Sequence, residues 1–421
     1  MEVANYVYYR NDDNEFTIYD IDEDTFTYDS DLPRDCNNFE LLGKKFERSE
    51  EGLKAFATKL VSDNDDVKSI KIMNRTFDIF QCAWKKRDGT IDMFYKNNRC
   101  ITMNFFKRFS CYSQTRDYTM LEIDECNTMD KCYNAGILHG PEQPIECDGY
   151  AYDFQMMYPR CLASQKFYFP TESGKWIYFT KLKKEYKYGM YNCKITIHNK
   201  KVRKFVMVSR EDYCTHYDLQ IIEKVNKIYP GSVTVEPLGY AYVYEKETLE
   251  QGYDIFGPWY NALLELKTKF PKNIVVKMIS SSLWGYLCQR NSEKIRVDDP
   301  RLDDMVLALG LEDEDPDATH YMLDYTECYK NPDKSFYDIM PVDGSPQKHP
   351  FRLKPFITAF ARLEMVKALV MQPDNILKIN TDGFILKTKF KDKIKTLIYE
   401  GHHKFLIKNC TRSSILETYE L

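Results

Sequence analysis

The chain of 421 residues is 43% hydrophobic and 29% charged, with a formal net charge of −5. That composition excludes a disordered, collagen-like or disulfide-scaffold class, and the length predicts two or three subdomains. No apolar run approaches the about 18–20 residues of a membrane span. The opening MEVANYVYYRNDDNE lacks a signal-peptide pattern, and the 13 cysteines in no metal-like spacing read as reduced thiols. The sequence therefore predicts a soluble, intracellular protein with no membrane partner.

Residues 1–35 read as an irregular or short-stranded acidic segment, and residues 1–40 set 12 acids against Arg10 and Arg34. Glu50–Ser62 reads as a helix. SIKIMN, FDIFQCAWK and TIDMFYK follow as short strands, with Asp88-Gly89 as a hairpin turn. CNTMDKCYNAGILHGPEQP reads as a loop that closes the first module. Residues 145–240 alternate as strands, for example NCKITIH and KFVMVS, and a helical period runs from Asp218 to Lys227. Within that region, residues 160–210 hold 13 Lys or Arg and only two acids, interleaved with Tyr and Phe. Such a stretch suits a phosphate backbone and exposed bases, or simply a solvated sheet face. Gly257–Phe270 and Asn273–Arg290 read as a helical pair broken at Pro271. Residues 291–350 look loop-heavy and acidic. Pro355–Met371 reads as an amphipathic helix with proline in its first turn, and NILKIN with FILKTKF makes a hairpin before a basic tail.

Three segments carry chemistry. In GYAYDFQMMYPR (149–160) apolar alternation runs into Asp153, a carboxylate placed to hold a divalent cation, with the amides of Gln155 to Tyr158 facing an anion at a helix start. In KMISSSLWG (277–285) a helix puts Lys277, Ser281, Trp284 and Gly285 on one face, suited to phosphate, base and sugar. In KINTDGFIL (378–386) Thr381-Asp382-Gly383 is a tight turn that projects Asp382. Taken singly, each also has a structural account: a capping Asp, a core Trp with a snorkelling Lys, a plain Asp-Gly turn.

In order along the chain, the three resemble the A, B and C motifs of family B DNA polymerases. The patterns Asp-x-x-Ser-Leu-Tyr-Pro, Lys-x-x-x-Asn-Ser-x-Tyr-Gly and Asp-Thr-Asp-Ser stand here as DFQMMYP, KMISSSLWG and NTDG. AGILHGP, CTHYDL and PFITAFARLEM lie where that family has supporting segments. The 123 residues between Asp153 and Lys277 leave room for an insertion like that of the protein-primed branch of phages, linear plasmids and large DNA viruses. The resemblance covers roughly residues 133–390.

The resemblance implies an α+β, right-hand polymerase fold with an antiparallel-sheet palm, helical-pair fingers and a reduced thumb. A small N-terminal α/β module (1–132) would precede a palm with a basic insertion (133–256), fingers (257–290), a further insertion plus palm (291–390) and the thumb (391–421). It implies two Mg²⁺ ions, with Mn²⁺ as a substitute, on Asp153, Asp382 and the Phe154 carbonyl. Lys277, and Lys267 in preference to Lys269, would meet the triphosphate of an incoming dNTP. Tyr158 would lie under the sugar and exclude a 2′-hydroxyl. Gln155, Met156, Met157, Ser281, Ser282, Trp284 and Gly285 would border the nucleotide. Arg362, Thr381 and Lys404 would contact the DNA primer-template. A terminal priming protein or another replication subunit is the implied partner.

Departures from the pattern bear on rate. Asn380 replaces the first Asp of motif C, Gly383 its Ser, and Trp284 the Tyr of motif B. Asn74 and Asp78 in NRTFD resemble a middle exonuclease motif, but DIDED (20–24) is a poor first motif and no third is found, so no proofreading site is expected. A catalytically weak or inactive polymerase-fold DNA-binding subunit is the alternative reading.

Overall fold

The computed structural model describes residues 5–10, 15–21, 23–30, 37–40, 48–64, 70–72, 75–78, 83–85, 98–112, 121–209, 211–271, 274–288, 293–296, 320–323, 326–330, 336–341 and 349–407. Strands β1 (Asn5–Arg10), β2 (Phe16–Asp20), β3 (Thr25–Asp29) and β4 (Asn37–Glu40) precede helix α1 (Glu50–Asn64). β5 (Ile70–Ile72), β6 (Arg75–Asp78) and β7 (Ala83–Lys85) lead to α2 (Asn98–Phe109) and α3 (Ile123–Cys132). Next come β8 (Leu138–His139), β9 (Ile145–Phe154), α4 (Met157–Leu162), β10 (Tyr168–Pro170), β11 (Lys175–Phe179) and β12 (Gly189–Ile197). β13 (Tyr213–Thr215), α5 (His216–Ile228), β14 (Val233–Val243) and β15 (Leu249–Gln251) are followed by α6 (Gly252–Lys269) and α7 (Ile274–Leu287). β16 (Glu293–Arg296), β17 (His320–Leu323), β18 (Thr326–Lys330) and β19 (Phe336–Pro341) precede α8 (Lys354–Leu369), β20 (Ile376–Asn380), β21 (Gly383–Leu386) and β22 (Leu397–Ile407).

Two compact units result: residues 1–113 with 258–346, and residues 114–257 with 347–421. In the first unit, β3-β2-β1-β4 form one sheet, with β1 and β4 parallel. The N-terminal segment, irregular or short-stranded from its sequence, is short-stranded: Thr17, Ile18 and Tyr19 are buried, while Glu15, Glu23, Asp24 and Asp29 are exposed. Ser49 starts α1 by accepting the Gly52 N–H (3.1 Å), and Leu53, Phe56 and Ala57 turn inward. The loop-heavy stretch 291–350 holds an antiparallel sheet ordered β16-β19-β18-β17. TIDMFYK and its Asp88-Gly89 turn lie outside the described residues.

In the second unit, an antiparallel five-stranded sheet runs β22-β9-β21-β20-β8. The stretch assigned from sequence to a thumb therefore contributes Leu397–Ile407 to this sheet, paired along the length of β9. A second sheet, ordered β11-β14-β12-β13, is built from strands between residues 175 and 243. Helix α8 differs from the amphipathic reading because nearly every side is covered, Phe356, Thr358, Phe360, Arg362, Met365 and Leu369 included. A helix covered on nearly all sides is a core element, and each of its large apolar side chains contributes about 1.5–3 kcal/mol on burial. Its partners include α3, which was read as loop; α3 buries Cys126, Met129 and Cys132 on one side. Glu125 of α3 is fully buried and accepts two bonds from the Arg352 guanidinium (2.7 and 2.8 Å) and one from the Tyr244 hydroxyl (2.8 Å).

Candidate active site

β9 delivers Asp153 to the end of the central sheet. Gly149 makes this possible, since a Cβ there would lie 2.5 Å from the Ile385 Cγ2 of the neighbouring strand. Asp153 is half-buried between the buried Tyr152 and Phe154. The chain then reverses through Met156 in the left-handed region (φ 49°) and enters the six-residue helix α4 with Pro159 in its first turn. Met156 and Met157 are buried. The Gln155 N–H donates to the Thr396 carbonyl (2.9 Å), so this amide serves the sheet and not an anion.

β20 and β21 form the hairpin that carries Asp382. Asn380 pairs with Gly383, and Thr381 between them takes φ 59°, as a two-residue turn requires. β21 then pairs with β9 so that Gly383 stands opposite Asp153, and the Phe154 N–H donates to the Asp382 carbonyl (2.9 Å). Gly383 keeps space at this point, because a Cβ would lie 3.3 Å from Asp153 Oδ1. Asp382 is also close enough to Tyr158 that its negative charge, after burial itself, pushes the phenol pKa upward. Asp153, Asp382 and Tyr158 therefore gather at one end of β9.

The two carboxylates offer hard oxygen donors of the kind Mg²⁺ takes when substrate phosphates and water complete its shell. The exposed amide of Asn380 is a further neutral oxygen donor. Among the described residues no group of three or more His, Cys, Asp or Glu side chains gathers as a metal site. The donor set fits an ion shared with a phosphate-bearing substrate.

A chain of contacts behind the turn sets its position. Thr215 and Asp218 cap α5 reciprocally, and Asp218 Oδ2 accepts from the Thr215 hydroxyl (2.7 Å) and N–H (3.0 Å). Asp218 Oδ1 accepts from Arg362 (2.7 Å), whose guanidinium also donates to the carbonyls of Asn134 and Ala135 (2.6 and 2.8 Å). Two residues on, the Ile137 carbonyl accepts the Thr381 N–H (2.9 Å), and Gly136 lets Thr381 approach, since a Cβ there would be 2.7 Å from Thr381 Cγ2. Arg362 is thus corrected from DNA contact to buried tie, 1% exposed. Asp218 was not singled out by sequence reasoning. The signal that pointed there was its place in CTHYDL, three residues after a capping threonine.

On α7, Val276, Ile279, Leu283 and Leu287 are buried. Lys277, Ser281 and Gly285 form an exposed stripe at intervals of four, and a Cβ at Gly285 would meet nothing within 4 Å. Trp284 is half-buried beside that stripe. On α6, Lys267 is half-buried, whereas Lys269 pairs with Glu265 (2.7 Å). Both helices carry these residues in the first unit, and Asp153 and Asp382 belong to the second. Lys404 is exposed on β22, opposite Asp148 of β9. Asn74 lies outside the described residues, and Asp78 ends β6. Of the acids in DIDED, Asp24 is taken by Lys54 (2.8 Å) and the Tyr19 hydroxyl (2.7 Å).

No protein-family model and no curated protein sequence matches the chain. Solved structures do. Phi29 DNA polymerase complexed with single-stranded DNA aligns with a TM-score of 0.55 at 11% identity, over 96% of this chain and 85% of that one. The same polymerase with primer-template DNA gives 0.50 at 14% identity, over 85% and 58%. Its ternary complex with primer-template DNA and incoming nucleotides also gives 0.50 at 14%, over 75% and 55%. This chain spans between 54% and 58% of the length of three of the Phi29 chains. The likeness is one of fold: a polymerase-like arrangement of helices and antiparallel sheet. No helix among the described residues is long and apolar enough to cross a membrane.

Proposed function

We propose that the chain is a template-directed DNA polymerase, a nucleotidyltransferase that extends a primer during replication of a viral or mobile-element genome, without proofreading. The observation that carries this reading is the pairing of Asp153 with Gly383 across β9 and β21, which sets Asp382 beside it. The fold shared with Phi29 DNA polymerase gives that pair its context. In this reading the five-stranded sheet is the palm, α6 and α7 are the fingers, and β22 takes into the palm part of what would otherwise be thumb.

Asp153, Asp382 and the Phe154 carbonyl would hold Mg²⁺, or Mn²⁺ in its place. Bound there, the ions would neutralise charge on the transferred and leaving phosphates during in-line attack by a primer oxygen. The chain's own side chains do the positioning. Lys277 and Lys267 grip the triphosphate as point charges. Tyr158 packs under the sugar; its phenol, held protonated by burial and by Asp382, stays a neutral wall against a 2′-hydroxyl. Ser281, Trp284 and Gly285 border the nascent base pair, and Thr381 and Lys404 touch DNA. The partners are a DNA primer-template, dNTPs, and a terminal protein or other replication subunit.

Asn380 favours a second reading, a DNA-binding subunit with weak or no turnover, because it removes one acid from the cluster. Mg²⁺-dependent extension of a labelled primer-template, with Asp153→Ala and Asp382→Ala in parallel, separates the two. Extension by the wild type that is lost in both variants supports the polymerase. DNA binding without extension moves the function to the second reading, and extension that survives both substitutions sinks the two-carboxylate site.

A further inference from the structure

The sheet β11-β14-β12-β13 has two unlike faces. One is covered: Phe179, Tyr191, Ile195 and Val243 are buried, and α5 packs on β12 and β14. The other presents Trp176 and Tyr178 of β11 and Leu238 and Tyr240 of β14, which are 42%, 76%, 41% and 51% exposed. Antiparallel register sets Tyr178 opposite Tyr240, with ring centroids 5.4 Å apart, and Trp176 opposite Tyr242 at 5.3 Å. Tyr242 is itself buried, so the exposed rings are those of Trp176, Tyr178 and Tyr240, held along two strands by backbone pairing. Exposed apolar strips of this kind mark a binding surface more often than chance decoration.

Charge selects the partner. Residues 160–210, which include β11, carry 13 basic residues against Glu172 and Glu185, while β14 adds one exposed acid, Glu236. Lys175 and Lys187 are joined to Glu245 (2.6 and 3.1 Å), while Lys181, Lys183 and Lys184, just past β11, are exposed. Rings that offer flat faces, next to a cluster of ammonium groups, match a strand of unpaired bases on a phosphate backbone. We propose that this face binds single-stranded DNA, with bases stacked on Trp176, Tyr178 and Tyr240 and phosphates met by the lysines of 181–184. That the strand is DNA rests on the polymerase reading; the stacking does not. The surface lies on a different sheet from Asp153 and Asp382 and needs neither metal nor nucleotide.

The test uses the full chain and fluorescence anisotropy, with EDTA present so that no extension occurs. Probes are a labelled oligothymidylate, an abasic strand of equal length and charge, and an oligouridylate. Wild type should prefer oligothymidylate over the abasic strand by roughly tenfold or more. Tyr178→Ala/Tyr240→Ala should abolish that preference and leave the abasic affinity unchanged, while Tyr178→Phe/Tyr240→Phe should retain it. Lys183→Gln/Lys184→Gln should weaken both deoxy strands alike and flatten the salt dependence. Asp153→Ala/Asp382→Ala should keep the wild-type ratio, so failure of the polymerase reading leaves this result standing. Equal binding of base-bearing and abasic strands by wild type, or a preference that persists in the alanine pair, overturns the proposal. Tighter binding of oligouridylate, or self-association of the chain that the alanine pair abolishes, overturns it as well by giving the strip to RNA or to a second copy.

Discussion

Asp218→Asn tests the contact chain that holds the Thr381–Asp382 turn. The substitution changes one atom, but no orientation of the amide satisfies its surroundings. Oδ2 accepts from two donors of Thr215 and Oδ1 accepts from Arg362; whichever way the amide turns, its NH₂ faces donors. The change also strips the partner charge from an arginine that is 1% exposed. Breaking a buried pair in this way costs about 3–5 kcal/mol. For a unit the size of residues 114–257 with 347–421, each kcal/mol lowers Tm by about 2–4 °C, so calorimetry should show a fall of about 6–20 °C. Asp218→Leu/Arg362→Met, which removes both charges, should lose less than the single change. A single variant that melts within about 2 °C of wild type, below the smallest shift this cost allows, would refute the reasoning.

Gly285→Ala should stabilise α7 by about 0.5–1 kcal/mol, since the new methyl meets nothing; if that bare spot serves the nucleotide, KM for dNTP rises while Tm also rises. Gly136→Val drives a methyl into Thr381 and should cost about 1–3 kcal/mol, with a loss of primer extension. Burial lowers the pKa of His216 to about 3 and, with help from Lys204, that of His139 to about 4. Both fold neutral, so their contribution is complete above the unfolded value of about 6.5 and is lost as pH falls toward those folded values. Urea midpoints should drop between pH 6.5 and 4, and His216→Phe should make that drop shallower.

The parts of the fold legible in the sequence are those with local chemistry. Helical period, turn glycine and strand alternation placed α5, the β20–β21 hairpin and the end of β9 near their observed positions. Depth was not legible. The resemblance implied that Arg362 contacts DNA; the carboxylate that holds it in the core stands 144 residues earlier. The Gly and Pro that follow Cys132 made α3 look like loop; the arginine that holds Glu125 in the core stands 227 residues later. Leu397–Ile407 was hidden by an outward face rich in charge and His. In each case the deciding interaction is far away along the chain.

β9 has consequences for biosynthesis as well as chemistry. Both of its neighbours, β21 and β22, are translated more than 200 residues after it, and Phe390 N–H reaches back 238 residues to the Tyr152 hydroxyl. Non-local pairing of this kind folds slowly, since loop closure precedes any reward from contact. On the ribosome, a nascent chain that ends before residue 383 holds Asp153 on a strand with two open edges, prone to the wrong partner. The carboxylate pair forms late, so an interrupted translation product carries no assembled centre.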